Sequence, residues 1–171
     1  PNAQLPPAAN PQLALFDEHD VANGAVRQYC VDFQGDSAFQ AVVVWLEPPG
    51  SASISGPQLI NNLDLVVRYT TRDGVRAMRY GNQPEDVSAS FTSTDTLNNV
   101  EKVRIEDAPK GVYTVEVRGT VVATGRAVFS LAVSAAVTTT SCQVACAVSC
   151  RNHGTCDTAN GRCLCEAGWY G

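Results

Sequence analysis

Between residues 13 and 135, apolar positions recur in short runs rich in Val, Tyr, Phe and Ile, punctuated by Gly, Pro, Asn and Asp. Several of these runs alternate with polar residues in steps of two, and none sustains the 3.6 period of an amphipathic helix. Strands are predicted over Ala25 to Phe33, Phe39 to Leu46, Leu63 to Tyr69, Val75 to Tyr80, Val100 to Ile105, Val112 to Val117 and Val128 to Val133. In the third, Leu63, Leu65 and Val67 point one way while Asn62, Asp64 and Arg68 point the other. The unbroken Val42-Val43-Val44-Trp45-Leu46 predicts burial on both faces. Val100, Val103 and Ile105 are core candidates, with one break of register. Asp73-Gly74 predicts a hairpin turn and Ala108-Pro109-Lys110-Gly111 another turn. The pattern predicts an all-β fold, an antiparallel β-sandwich of seven to nine strands. At about 125 residues it can bury roughly two-thirds of its unfolded surface and so fold unaided.

Composition changes the picture at the two ends. Residues 1–12 hold four prolines and read as a linker, 13–135 as the sandwich, 136–145 as a connector and 146–171 as a small cysteine-rich module. Six of seven cysteines fall between Cys142 and Cys165, a density that marks a disulfide scaffold and an oxidising, extracellular setting. The opening residues have neither the basic start nor the apolar core of a signal peptide, so an internal piece of a longer secreted protein is expected. The net charge of −5 argues against nucleic acid as a partner, and no apolar run has the ~20 residues of a membrane-spanning helix.

The tail reads Cys146-x3-Cys150-x5-Cys156-x6-Cys163-x-Cys165, with Gly154 before the third cysteine and Gly168-Trp169-Tyr170-Gly171 after the fifth. It resembles an EGF-like repeat of the compact type found in tandem in matrix proteins, stopped before its sixth cysteine. The resemblance implies Cys146–Cys156 and Cys150–Cys163 pairs, with Cys165 awaiting a partner. His153 and the paired cysteines could offer zinc ligands, but the spacing matches no common zinc motif. Cys30 and Cys142 are left. They either bridge the first predicted strand to the sandwich's exit, or Cys142 belongs to the tail module and Cys30 is a buried thiol.

The motifs Asn61-Asn62-Leu63-Asp64-Leu65, Asn98-Asn99-Val100-Glu101, Pro109-Lys110-Gly111-Val112-Tyr113-Thr114-Val115-Glu116-Val117 and Phe129-Ser130-Leu131 occur in that order. Together they resemble the C-terminal jelly-roll (P-domain-like) sandwich that follows the catalytic domain of secreted subtilisin-like serine proteases. The resemblance implies a non-catalytic accessory domain that stabilises or orients an upstream catalytic domain in the same polypeptide. It also implies a structural calcium ion, for which Asp64, Asp95, Asn99 and Glu101 are candidate ligands. On the residues alone, the same side chains could instead cap backbone groups or pair with arginines.

No catalytic set is expected in the chain. His153-Gly154-Thr155 is followed by Cys156, Gly119-Thr120 by Val121, and the remaining histidine, His19, lies in a charged run that reads as solvated. Whether the parent is an enzyme rests on what precedes Pro1. The competing reading is an adhesion or glycan-binding protein, with an extracellular protein or glycan as partner. A free-standing carbohydrate module would need Trp45 or Tyr80 exposed, whereas the apolar flanks of Trp45 predict core.

Overall fold

The computed structural model describes residues 13–35, 37–50, 53, 59–84, 94–137, 142, 154–157 and 162–165. Its strands are β1 (Ala14–Ala22), β2 (Val26–Phe33), β3 (Phe39–Trp45), β4 (Asn61–Thr70), β5 (Arg76–Tyr80), β6 (Val100–Ile105), β7 (Gly111–Val122), β8 (Arg126–Val133), β9 (Ala136–Val137), β10 (Gly154–Asp157) and β11 (Arg162–Cys165). A four-stranded sheet has the order β1-β8-β3-β6, and a five-stranded sheet the order β5-β4-β7-β2-β9. All pairings are antiparallel. The sandwich predicted from the alternation is therefore present. From β1 to β9 every connection changes sheet except the one joining β4 to β5. That one is the Asp73-Gly74 hairpin, where Gly74 adopts φ 82° and Thr71 and Val75 close the turn at 2.7 Å.

The two inner faces make the core. Phe39, Ala41, Val43 and Trp45 of β3 meet Leu63, Leu65, Val67 and Tyr69 of β4, with Phe129, Leu131 and Val133 of β8 and Val115 and Val117 of β7 around them. Tyr113 is the aromatic centre. Its ring stacks on Phe39 at 4.5 Å and on Tyr69 at 5.3 Å, and Phe33 meets it edge-on at 5.6 Å. Its hydroxyl donates to the Pro109 carbonyl at 2.7 Å, which fixes the turn from β6 into β7. Burial pushes the Tyr113 phenol pKa up, so the hydroxyl stays a donor.

Three details depart from the alternation. The run 42–46 is buried on one face only. Val43 and Trp45 point inward, Val44 is 40% exposed and Leu46 is 88% exposed, because the outer face of the four-stranded sheet is open. In β6 the core position next to Val103 and Ile105 is taken by Glu101, and Val100 faces outward. β1 carries no apolar alternation across Asp17-Glu18-His19-Asp20, because a bulge opposite Ser130 interrupts its pairing with β8 and sets Glu18 at φ 55°.

Tyr113→Ala is expected to cost about 3–5 kcal/mol, as loss of a buried aromatic does. Tyr113→Phe, which loses only the bond to Pro109, is expected to cost about 1 kcal/mol. Urea unfolding of both variants measures the difference. Equal costs would mean that the ring contributes nothing beyond its hydroxyl.

Candidate functional site

Glu101 is 1% exposed and lies among core residues. β5 ends at Tyr80, so beyond that point the amide of Leu65 on β4 has no ladder partner on that side. The Glu101 Oε2 atom takes the place of a strand carbonyl there and accepts the Leu65 N–H at 2.6 Å. Space for it comes from Gly81, where a Cβ would lie 2.1 Å from Oε2. Glu101 Oε1 has no partner. Burial pushes the carboxyl pKa up to about 8, the Leu65 amide pulls it down, and Asp64 and Asp95 add to the rise.

Around Glu101, Asn82 at φ 57° ties β6 to the end of β5. Its amide N–H donates to Lys102 O at 2.8 Å, while its Oδ1 accepts the Lys102 N–H at 3.0 Å. Its Nδ2 donates to Val100 O at 2.8 Å and to Asp95 Oδ2 at 2.6 Å. Asp95 also accepts the amides of Leu97 and Asn98 and the Asn98 Nδ2, so both its oxygens are engaged. Burial acts to raise the Asp95 pKa, and these donors overcome it and hold the carboxyl below its ordinary value. Asn99 donates through Nδ2 to Trp45 O at 2.9 Å and accepts the Trp45 amide through its own carbonyl.

Asp64 is also buried, on the face of β4 opposite Leu65. A bulge in β7 offers Thr120 beside it, and the Thr120 hydroxyl donates to Asp64 Oδ2. Asp64 Oδ1 and the Oδ1 of Asn62, two residues away on the same face, are without partners. The four acids and amides predicted as calcium ligands are thus spread over different places: Asp95 and Asn99 cap backbone and amide groups, Glu101 faces the core, and Asp64 faces outward. Among the described residues, no group of three His, Cys, Asp or Glu converges on one point.

Two further acids organise their surroundings, Glu116 fully buried and Glu47 partly buried. Glu116 accepts from Arg68 at 2.9 Å, Arg118 at 2.5 Å and Gln28 at 3.3 Å. Burial acts to raise its pKa, and the two arginines overcome it and lower the value. The cross-strand Arg68 is visible only once the β4–β7 register is known. Glu47 accepts the Trp45 indole N–H at 2.8 Å and the Ile60 amide at 2.7 Å, anchoring a tryptophan that is 1% exposed. Trp45 is core, as its apolar flanks predicted.

No Ser–His–acid relay forms among the described residues. The Ser130 hydroxyl donates to Asp17 at 2.5 Å, while the exposed His19 pairs through Nδ1 with the Tyr29 hydroxyl at 2.7 Å. Cys30 on β2 is bonded to Cys142, with Cα atoms 5.1 Å apart, so the bridge is the alternative realised. Cys146 and Cys150 lie outside the described residues, as does Trp169. β10 and β11 pair from Gly154 opposite Cys165 to Asp157 opposite Arg162.

Residues 142–171 match the family model for an EGF-like domain. The match begins at the cysteine that is bonded back to β2. The chain is 36% identical over 101 residues to "Serine protease/ABC transporter B family protein tagA" of Dictyostelium discoideum, a stretch covering 58% of the chain and 6% of that protein. It is 27% identical over 135 residues to tagB of the same organism, described in the same words, covering 71% of the chain and 7% of that protein. The chain therefore spans less than a tenth of the length of these relatives. A crystal structure from Sulfurospirillum deleyianum aligns over 72% of the chain and 96% of its own length at a TM-score of 0.40 and 7% identity.

The raised pKa of Glu101 has a definite sign. Its contribution to stability is full below the ordinary value of 4.5 and is lost as pH rises toward about 8. The loss is on the order of 3–5 kcal/mol. Glu101→Gln keeps an acceptor for Leu65 and removes the titration. It is expected to melt at least about 5 °C higher than the parent at pH 8 and to flatten the fall in melting temperature between pH 5 and 8. A parallel fall in both proteins would assign the titration elsewhere. Separately, the Cys30–Cys142 bond spans 112 residues, and Cys30→Ser with Cys142→Ser is expected to cost about 3–5 kcal/mol. Melting with and without reductant checks it: reductant should lower the parent toward the double variant and leave the variant unchanged.

Proposed function

We propose that this chain is the accessory β-sandwich of a secreted serine protease of the subtilisin-like type, followed by an EGF-like interaction or spacer segment. Its role is to stabilise or orient a catalytic domain encoded upstream of Pro1. The observation that carries the reading is the 36% identity over 101 residues to a protein named as a serine protease. An EGF-like tail and a disulfide between Cys30 and Cys142 support an extracellular setting.

Within this reading, calcium narrows to the outer face of β4. Asp64 Oδ1 and Asn62 Oδ1 are buried without donors, which suits a hard cation, whereas Asp95 already has a donor at each oxygen. A cation there would compensate the desolvated Asp64 charge and brace β4 against β7.

Two measurements test the proposal separately. The coding sequence before Pro1 is expected to contain Gly-Thr-Ser-x-Ala, and deletion of residues 13–137 from the full-length protein is expected to shorten the lifetime of its peptidase activity at least severalfold. A full-length protein without that motif, or one equally long-lived after deletion, overturns the accessory role. For the cation, added chelator is expected to lower the melting temperature of the parent and not of Asp64→Asn. An unchanged parent removes calcium and leaves the accessory role standing.

A further inference from the structure

β5 is the edge of the five-stranded sheet and β6 the edge of the four-stranded one. Between the β4–β5 hairpin and the turn from β6 into β7, these edges border a surface depression of about 250 Å³. Arg72, Arg79 and Arg104 line it together with Glu106 and Asp107, over a floor that includes Tyr69. Three arginines on one small surface are unexpected in a chain of net charge −5.

Their partners set two of them apart. Arg27 and Arg126 pair with Asp20, Arg68 and Arg118 with Glu116, and Arg104 with Glu106. Among the described residues, Arg72 and Arg79 have no carboxylate partner. Arg79 is opposite Val67 in the β4–β5 register, so it occupies a position on the core side of an edge strand yet remains partly exposed at the depression. A planar guanidinium held there presents paired donors suited to a carboxylate.

We propose that this depression is a binding site for a single carboxylated sugar residue of a glycan. The lining selects for that class. Arg72 and Arg79 call for one anionic group, while Glu106 and Asp107 can only accept hydrogen bonds and repel a second negative charge. A uronic or sialic acid unit carries one carboxylate and several hydroxyl donors and so satisfies both sets. A polyanion, a nucleic acid or a run of acidic side chains brings further charges against the two acids. The volume lies below the roughly 300–1,000 Å³ of pockets for drug-sized ligands, which fits one ring. The site does not depend on the accessory reading: an extracellular chain of either parentage meets such glycans.

The competing account of Arg79 is protection of the sheet edge, since an inward charge on an edge strand blocks pairing with another chain. Backbone NMR titration of the full chain with methyl glucuronide, sialyl-lactose, methyl glucoside and a hexaglutamate peptide separates the outcomes. Saturable shifts confined to residues 69–79 and 104–109 are expected with one or both acidic sugars, with at least tenfold weaker binding in the exposed-site variant Arg72→Met and in Arg79→Met. Methyl glucoside is expected to bind at least tenfold more weakly. No saturable shift with either acidic sugar overturns the site, as does glucoside binding of equal strength. Tighter binding of hexaglutamate overturns the sugar assignment in favour of an acidic peptide. Self-association of Arg79→Met with unchanged sugar affinity assigns that residue to edge protection and likewise overturns the proposal.

Discussion

Two sheets that share no strand must be joined at their open side, and here the join is made by hydrogen bonds from side chains that stand in for missing strand. Where β5 ends, Glu101 of the four-stranded sheet accepts the amide of Leu65 in the five-stranded sheet. Next to it, Asn82 exchanges hydrogen bonds with Lys102. A carboxyl group in the core is costly when ionised, and the structure meets the cost by raising its pKa to about 8 rather than by offering a cation partner. Gly81, the short β5 and the left-handed Asn82 together leave room for that carboxyl to reach β4. The depression with its arginines lies farther along the same pair of edges.

Much of this was legible in the residues, for a simple reason. A sandwich core is an alternation of apolar and polar positions, so Leu63, Leu65 and Val67, or Phe129, Leu131 and Val133, announce their face directly. Glu101 was not legible in that way, because alternation assigns a charged residue to solvent. Its inward place is set by the end of β5, a nonlocal fact. β1 was missed because Asp17 to Asp20 spans a bulge, where the side chains obey no regular face. The two-sided burial expected for residues 42–46 failed because a continuous valine run records β propensity as well as burial.

The candidate site divides along the same line. Side chains that cap local turns could be anticipated: Asp95 bonds to residues two and three positions ahead, and Asn and Asp at such positions commonly do so. Groups whose partners come from other strands could not. Arg68 reaches Glu116 across 48 residues and Thr120 reaches Asp64 across 56, and both depend on the β4–β7 register and its bulge. The arginine depression is the extreme case. Its arginines come from the β4–β5 hairpin and from β6, which belong to different sheets, and nothing in the spacing of Arg72, Arg79 and Arg104 declares that they meet.

The disulfide between Cys30 and Cys142 also determines how the sandwich carries mechanical load. Tension along the tail from residue 143 onward reaches Cys142 and passes through the sulfur bridge into β2, bypassing the two-residue β9. β2 lies inside its sheet, in eight-residue register with β7. Load from the tail is therefore delivered to a strand paired over eight residues with β7, and not only to the two-residue edge strand. The residues that match an EGF-like domain are in this way tied to an interior strand of the sandwich, and not through its short edge strand alone.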